Sequence, residues 1–348
     1  MGCGHGNRRR GAAAWRCLLA AWVAGGCHGG APAESEYIRI VGAVSVGERV
    51  LTGPVQTGAE PVDLNRPTDL LVVGDSVYVV DNGNDRLVVL DRRLRVLGVL
   101  GREGEGPGEF QHPVAIRRSP GGVTAVDMGN TRFTEFDRSG RVVRTWHAPS
   151  GLHQFAMSPS GVVYVRSRTL LTQYLRIDGD SEVGFGVWPH PLAPGERAPL
   201  LPPEQTVEVT AGDTVHVFDE KDGVLYKYGP AGDLLLEKKL PAVVWDSVAG
   251  MRDRLIRGLA KSGYGVIDAI VSKDFEVTPD GDLLLLIGTG EIVGLLIDPR
   301  TYDARKIVVR PGPNGTFRFP FGEAAIVDSL LYVLSDHDIG AFRIEESR

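Results

Sequence analysis

Six short apolar runs recur along this chain: Val77 to Asp81, Val123 to Asp127, Val162 to Arg166, Val215 to Asp219, Leu283 to Ile287 and Leu331 to Ser335. Their last residues lie 46, 39, 53, 68 and 48 positions apart. A repeat of this kind restricts the fold more than composition can, because each unit buries its apolar surface against the next. The shorter intervals match four-stranded units of about 40 to 45 residues, and the longer ones leave room for insertions. Each run is preceded by another apolar strand and a turn, as in Leu70 to Val73 followed by Gly74-Asp75-Ser76. Each of the first five is followed by two more strand-like runs, such as Leu87 to Leu90 and Val96 to Leu100. Turn dipeptides fall where a meander needs them, at Asn82-Gly83, Ser139-Gly140, Asp178-Gly179, Asp222-Gly223 and Asp280-Gly281. Gly supplies 45 of 348 residues, about 13% against an average of about 7%.

Strands such as Val77-Tyr78-Val79-Val80 are apolar on both faces, whereas a two-layer sandwich strand alternates polar with apolar. Burial on both faces is expected where every sheet packs against a neighbour on each side. The sixth unit supplies Ala324 to Val327, Leu330 to Leu334 and Ala341 to Ile344, one strand short of four. Tyr37 to Val50 is strand-like and otherwise unassigned, so it is expected to complete the last unit and close the ring. The expected fold is all-β: a six-bladed β-propeller of four-stranded antiparallel blades, closed by an N-terminal strand and carrying one helical insertion.

The chain begins with Arg8-Arg9-Arg10, a small apolar stretch from Gly11 to Val23, and Ala24-Gly25-Gly26-Cys27. A basic head, a short apolar middle and small residues before a cut site describe a signal peptide over 1–26, too short to span a bilayer. The run Val23 to Cys27 resembles the bacterial lipobox, which implies lipidation of Cys27. Ala24 and Arg16 depart from that pattern, leaving an ordinary secreted protein as the alternative. Residues 27–36 read as a linker and 37–348 as the propeller. All three cysteines, Cys3, Cys17 and Cys27, lie in this first segment, so the rest of the chain has no disulfide or thiol chemistry. Net charge is −6, the wrong sign for a phosphate-binding surface, so no nucleic-acid partner is expected. The expected location is the bacterial cell envelope, periplasmic or lipid-anchored, with membrane contact only through the anchor and the protein a monomer.

The segment Gly101-Arg102-Glu103-Gly104-Glu105-Gly106-Pro107-Gly108-Glu109-Phe110, followed by His112-Pro113-Val114-Ala115-Ile116, carries a family signature. So do the paired turns Asp81 to Arg86 and Asp127 to Arg132. Over residues 66 to 146 these motifs resemble the six-bladed β-propellers of the NHL-repeat type, and the remaining units share only the pattern. The resemblance implies a fold and leaves function open.

In a four-stranded meander, the turn between second and third strands and the link to the next blade return to the same face. The insertions Leu100 to His112, Trp188 to Gln205, Pro241 to Lys273 and Arg310 to Gly322 therefore converge on one side. Within the third, Trp245, Val248, Ile256 and Leu259 recur at helical spacing with Met251 and Leu255 beside them, predicting an amphipathic helix within about 242–271. It is either a lid or partner-docking element, or a plug over apolar blade ends.

The starts of the innermost strands place Asp69, His112, His153, Gln154, Asp274 and Glu323 at the channel mouth on that face. Carboxylates and imidazoles can hold a divalent ion, and gluconolactonase-like enzymes and peptide-amidating lyases among the six-bladed relatives carry metal there. Aligning Ser119-Pro120 with Ser158-Pro159 sets His112 and His153 two positions apart in their blades, so they are not one repeated ligand. The Asp81/Arg86 and Asp127/Arg132 pairs are expected to brace turns whose Gly83 and Gly129 supply a positive φ, and His216 is expected in the core. No catalytic-serine elbow, zinc-protease helix, phosphate loop or nucleotide fingerprint is present, and no cofactor is expected beyond a possible divalent metal. Two functions lead, with an inert structural role as the third reading. One is an exported scaffold binding a protein, peptide or glycan through its loop-rich face, without a catalytic residue. The other is a metal-dependent hydrolase or lyase with Asp274 or Glu323 on the ion and His112 or His153 as base.

Overall fold

The structure is a computed structural model that describes residues 36–57, 62–149, 152, 155–166, 174–179, 181–186, 205–220, 222–261, 274–289, 292–309 and 323–346. It opens with a long strand, β1 (Arg39–Gly53), followed by β2 (Asp69–Val73), β3 (Ser76–Asp81), β4 (Arg86–Asp91) and β5 (Val96–Leu100). Next come β6 (Pro113–Arg118), β7 (Gly122–Asp127), β8 (Arg132–Asp137) and β9 (Val142–His147). A third group is β10 (Phe155–Met157), β11 (Val163–Arg166), β12 (Tyr174–Asp178) and β13 (Ser181–Phe185), and a fourth is β14 (Gln205–Thr210), β15 (Thr214–Asp219), β16 (Val224–Tyr228) and β17 (Leu234–Lys239). The helix α1 (Ala242–Lys261) precedes β18 (Asp274–Val277), β19 (Leu283–Thr289), β20 (Ile292–Ile297) and β21 (Asp303–Val309). The last strands are β22 (Ala324–Val327), β23 (Leu330–Leu334) and β24 (Ile339–Glu346).

The first four groups are separate four-stranded antiparallel sheets. The remaining strands form one eight-stranded sheet in the order β18-β19-β20-β21-β1-β24-β23-β22. The fold is thus all-β and propeller-like, with four-stranded antiparallel sheets and one α-helix among the described residues. Successive sheets meet through their first strands: β2 lies beside β22 and β6, β6 beside β10, β10 beside β14, and β14 beside β18.

Burial follows the same radial order. Val77, Val79 and Val80 of β3 are fully enclosed, as are Val215 and Val217 of β15. On the fourth strands large apolar side chains face water: Leu97, Val143, Val183 and Leu234 are each about half exposed or more. Apolar clusters fill the spaces between neighbouring sheets. One joins Val80 and Leu87 to Ile116 and Phe136, another Phe133 to Phe155 and Val165, and another Tyr164 and Phe185 to Val217 and Tyr228. Phe218, Phe275 and Leu295 share a cluster with Val244 and Val248 of α1, Leu284 and Ile307 pack on Ala324 and Leu331, and Tyr332 and Ile339 pack on Leu70 and Val88. The last cluster joins the end of the chain to the first sheet.

The strand β1 does more than the sequence pattern implies. Its second half pairs antiparallel with β24, the expected completion, through Val44 to Gly53 opposite Glu346 to Ile339. Its first half pairs parallel with β21, through Arg39 to Val46 opposite Asp303 to Val309. Beyond its ends, Ile38 N donates to Lys239 O at 2.9 Å and Val55 N to Leu94 O at 2.7 Å. One segment of about 18 residues therefore laces the outer edges of β17, β21, β24 and the β4–β5 turn. Its length explains the eight-stranded sheet: the strand outruns the partner it was expected to complete and reaches the neighbour.

The Asp-braced turns are present, with a different role for their glycines. Asp81 accepts from Asn65 N at 2.7 Å, Asn84 Nδ2 at 2.8 Å and Arg86 Nε at 2.7 Å. Asp127 accepts from Gln111 N at 2.9 Å and Asn130 Nδ2 at 2.6 Å. Arg132 instead donates to the carbonyls of Glu105, Gly106 and Glu109 at 2.7, 2.7 and 2.6 Å. The positive φ in these turns falls on Asp85 (50°) and Thr131 (52°), not on Gly83 or Gly129. Those glycines are required by crowding: a Cβ would sit 2.6 Å from Asn65 O at Gly83 and 2.3 Å from Gln111 O at Gly129. His216 is fully buried, as expected. In α1, Val244 and Val248 are buried and Trp245 lies on Gly223, while the side chains of Met251, Leu255, Ile256 and Leu259 lie outside the described residues. Gly129→Ala and Gly83→Ala should each cost about 2 kcal/mol or more in urea denaturation because backbone must move, against about 1 kcal/mol for Gly74→Ala, where only the positive φ is strained.

Candidate functional site

The first strands alternate between side chains that join the apolar clusters and side chains turned to the other surface. In β14, Val207 and Val209 pack between sheets while Thr206, Glu208 and Thr210 are buried polar residues. In β18, Phe275 packs while Asp274 and Glu276 are buried. In β6, Ile116 packs while Arg117 turns toward Asp69 and Glu208. The polar set thus gathers along the line where the first strands meet.

Asp69, the first residue of β2, accepts from Leu70 N and from Ile116 N on the next first strand, both at 2.8 Å. Asp274, the first residue of β18, accepts from Ala324 N of β22, also at 2.8 Å. Both aspartates bridge consecutive first strands by the same device. Arg117 Nη1 donates to Asp69 Oδ2 and Ile116 O at 2.7 Å each, and its Nε lies 3.2 Å from Glu208 Oε1. Glu323 shares a side-chain hydrogen bond with Asp274. Glu276 is 7% exposed and has neither a hydrogen bond nor an ion pair among the described residues.

Five carboxyl groups against one guanidinium is an imbalance that burial turns into protonation. Desolvation pushes Glu208 up to about 8 despite Arg117, and Asp274 up to about 6. Desolvation also raises Glu276 and Glu323 well above the usual carboxylate range, with Asp274 adding to both. Glu323 therefore keeps the proton and donates it to Asp274. Arg117 would lose affinity for its proton on burial, but Asp69, Glu208, Glu276 and Asp274 outweigh that and raise it well above the ordinary value.

Of the residues singled out in the sequence, Asp69, Asp274 and Glu323 are brought together here. His112 is not in their hydrogen-bonding group: it is exposed, its N donates to Asp85 Oδ1 at 2.6 Å, and its Nδ1 accepts from Asn82 Nδ2 at 3.1 Å. His153 and Gln154 lie outside the described residues, as do Cys27, residues 1–26, 188–204, 262–273 and 310–322. No group of three or more His, Cys, Asp or Glu side chains is placed to hold a metal among the described residues. Arg117, Glu208 and Glu276 escaped the sequence reading because it sampled only the first position of each strand. The alternation Thr206-x-Glu208-x-Thr210 and Asp274-x-Glu276-x-Thr278 is the signal that finds them.

A cavity of about 480 Å³ reaches this polar set, within the range of small-molecule sites. Leu71, Val73, Met157, Arg117, Glu208 and Glu276 form its inner wall, and Ser119, Pro120, Gly122, Pro159, Ala211 and Pro279 its opening. The opening is at the ends of the first strands, among the short first-to-second hairpins. The Leu100–His112 insertion lies at their beginnings, where Gly129 N donates to Gln111 O at 2.7 Å and Asn82 Nδ2 to Pro113 O at 2.6 Å.

Because Glu208 holds a proton in the folded chain that it releases when unfolded, the folded state loses ground as pH rises from its ordinary value toward about 8. Stability should fall by on the order of 3 kcal/mol between pH 5 and 8, about 1.4 kcal/mol per unit. Glu208→Gln should flatten that decline in denaturant titrations repeated across the range.

No family model matches the chain. Over 102 residues, 27% of this chain, it is 32% identical to human NHL repeat-containing protein 3 (Homo sapiens), and the match spans 29% of that protein's length. Among solved structures, a candidate exported protein from Bacteroides fragilis superposes with a TM-score of 0.55 at 12% identity, covering 90% of this chain and 99% of that one. A member of the duf4221 family from Bacteroides vulgatus gives 0.56 at 8% identity, covering 88% and 99%. In sequence the chain resembles an NHL-repeat protein over about a quarter of its length, and in fold it resembles these two solved structures over most of it.

Proposed function

We propose that this chain is an exported binding scaffold, a six-bladed β-propeller that presents its insertion-bearing face to a protein, peptide or glycan. The blade count counts β18–β21 as one blade and β22–β24 with β1 as another. Support for it comes from the apolar clusters that link each sheet to the next and the last to the first.

The observation that carries the binding reading is the rigidity of the Leu100–His112 insertion. Arg132 clamps three of its carbonyls, Asn130 Nδ2 donates to Gly104 O at 2.9 Å, and Glu109 accepts from Gly106 N at 2.8 Å and Arg102 Nη2 at 2.7 Å. Phe110 anchors it with no exposure, and Glu103, Glu105 and Pro107 stand out to solvent. A loop fixed before contact loses little entropy on binding, and loops on a rigid scaffold are where recognition resides. Export is read from the N-terminal segment ending in Cys27 and from the Bacteroides fragilis protein named for it. The metal-dependent alternative has no specific support: Asp69 and Asp274 are occupied bridging strands, and His112 bonds elsewhere.

A photo-crosslinking residue at position 103 or 105 should give a discrete adduct in cells that Arg132→Ala weakens several-fold, whereas the same residue at position 75 on a first-to-second hairpin should not. Equal labelling from all three positions would defeat the assignment of the face. Cys27→Ser should move the protein from the membrane to the soluble fraction, and unchanged sedimentation with membranes would remove the lipid anchor.

A further inference from the structure

The cavity at the hairpin end of the channel is separate from the insertion-bearing face, and its lining is unfinished in a specific way. Glu276 is enclosed to 7% exposure, lines the cavity and bonds to nothing among the described residues. Ser119, also 7% exposed and lining it, has a hydroxyl without a hydrogen-bond partner among the described residues. A buried polar group without a partner costs roughly 1–3 kcal/mol, so a carboxyl group enclosed on every side but the cavity points to a ligand that completes it.

The charge of that group follows from the wall. Arg117, the one inner cation, is spent on Asp69, Ile116 O and Glu208. An anion entering here would meet Glu208 and Glu276 with no free cation to receive it. An ammonium group would meet the opposite field and, on pairing with Glu276, release the proton that burial holds there. The cavity also takes in Arg138, which is exposed and has no carboxylate partner among the described residues, and Arg118, whose Nη2 donates to Val72 O at 3.1 Å. Between the two charged ends the wall is apolar, at Leu71, Val73 and Met157.

We propose that this cavity binds a small zwitterion, its ammonium group on Glu276 and the Ser119 hydroxyl, its carboxylate at Arg138, and a short apolar stem between them. The volume admits a molecule between an amino acid and a dipeptide in size. Nothing in this assignment depends on the insertion-bearing face, which opens at the other end of the first strands.

Three probes with one six-carbon body separate the contributions by calorimetry on the full chain: 6-aminohexanoate, hexylamine and hexanoate. The zwitterion should bind at least tenfold more tightly than hexylamine, and hexanoate should not bind. Glu276→Gln, which keeps the volume, should weaken 6-aminohexanoate and hexylamine at least tenfold. Arg138→Ala should reduce 6-aminohexanoate to the affinity of hexylamine and leave hexylamine unchanged. An unshifted melting temperature in both variants excludes misfolding as the cause, and where Glu276→Gln does not fold, Ser119→Ala with a severalfold loss for both amines serves in its place. Hexanoate binding as well as the zwitterion, an unchanged affinity in folded Glu276→Gln, or no binding of any probe to the folded chain would overturn the proposal.

Discussion

The pairing of β1 on both of its edges is the constraint on which the rest depends. Val44, Ser45 and Val46 face Ile307, Val308 and Val309 on one side and Glu346, Glu345 and Ile344 on the other. A strand paired on both edges offers no open ladder, and here it removes two at once, that of β21 and that of β24. Val44 and Val46 also enter the cluster between the two arms of the eight-stranded sheet. Backbone hydrogen bonding and apolar burial thus act at the same seam. The Arg39–Asp303 pair, two bonds of 2.7 Å between exposed groups, adds little to that.

The radial arrangement that β1 secures also concentrates charge. Side chains of the first strands that do not pack between sheets have only one another to face, and the sequence fills those positions with acids. Two of the five carboxyl groups are used as strand-to-strand bridges, one is paired with arginine, and one shares a proton with its neighbour. What is left over, Glu276, sits where the cavity reaches the polar set. Structural use of Asp69 and Asp274 and ligand capacity at Glu276 are therefore parts of one arrangement, separated by a single residue along β18.

Much of the fold was legible because it rests on local signals. The six apolar runs became β3, β7, β11, β15, β19 and β23, and the Asp-rich turns fell where the dipeptides placed them, since both depend on residues close in sequence. The second partner of β1 was not legible: which strand meets its free edge is decided by the curvature of the whole assembly. Gly83 and Gly129 show the same divide. Their presence in a turn was readable, but the reason for it is the carbonyl of Asn65 or Gln111, brought close from 18 residues away in each case. Arg117, Glu208 and Glu276 failed to register because a polar residue every second position reads as a solvent-facing strand, and only the radial packing turns that face inward.

Ser45 and Glu345 lie side by side in the finished sheet although 300 residues separate them. Loop closure over such a span is among the slowest steps available to a β-rich chain. During synthesis the segment around Ser45 emerges early and has no strand to join until β21 and then β24 appear. The seam is therefore the last part to set, and until residues 339–346 are made the edge of β1 that they cover stays open to any other strand.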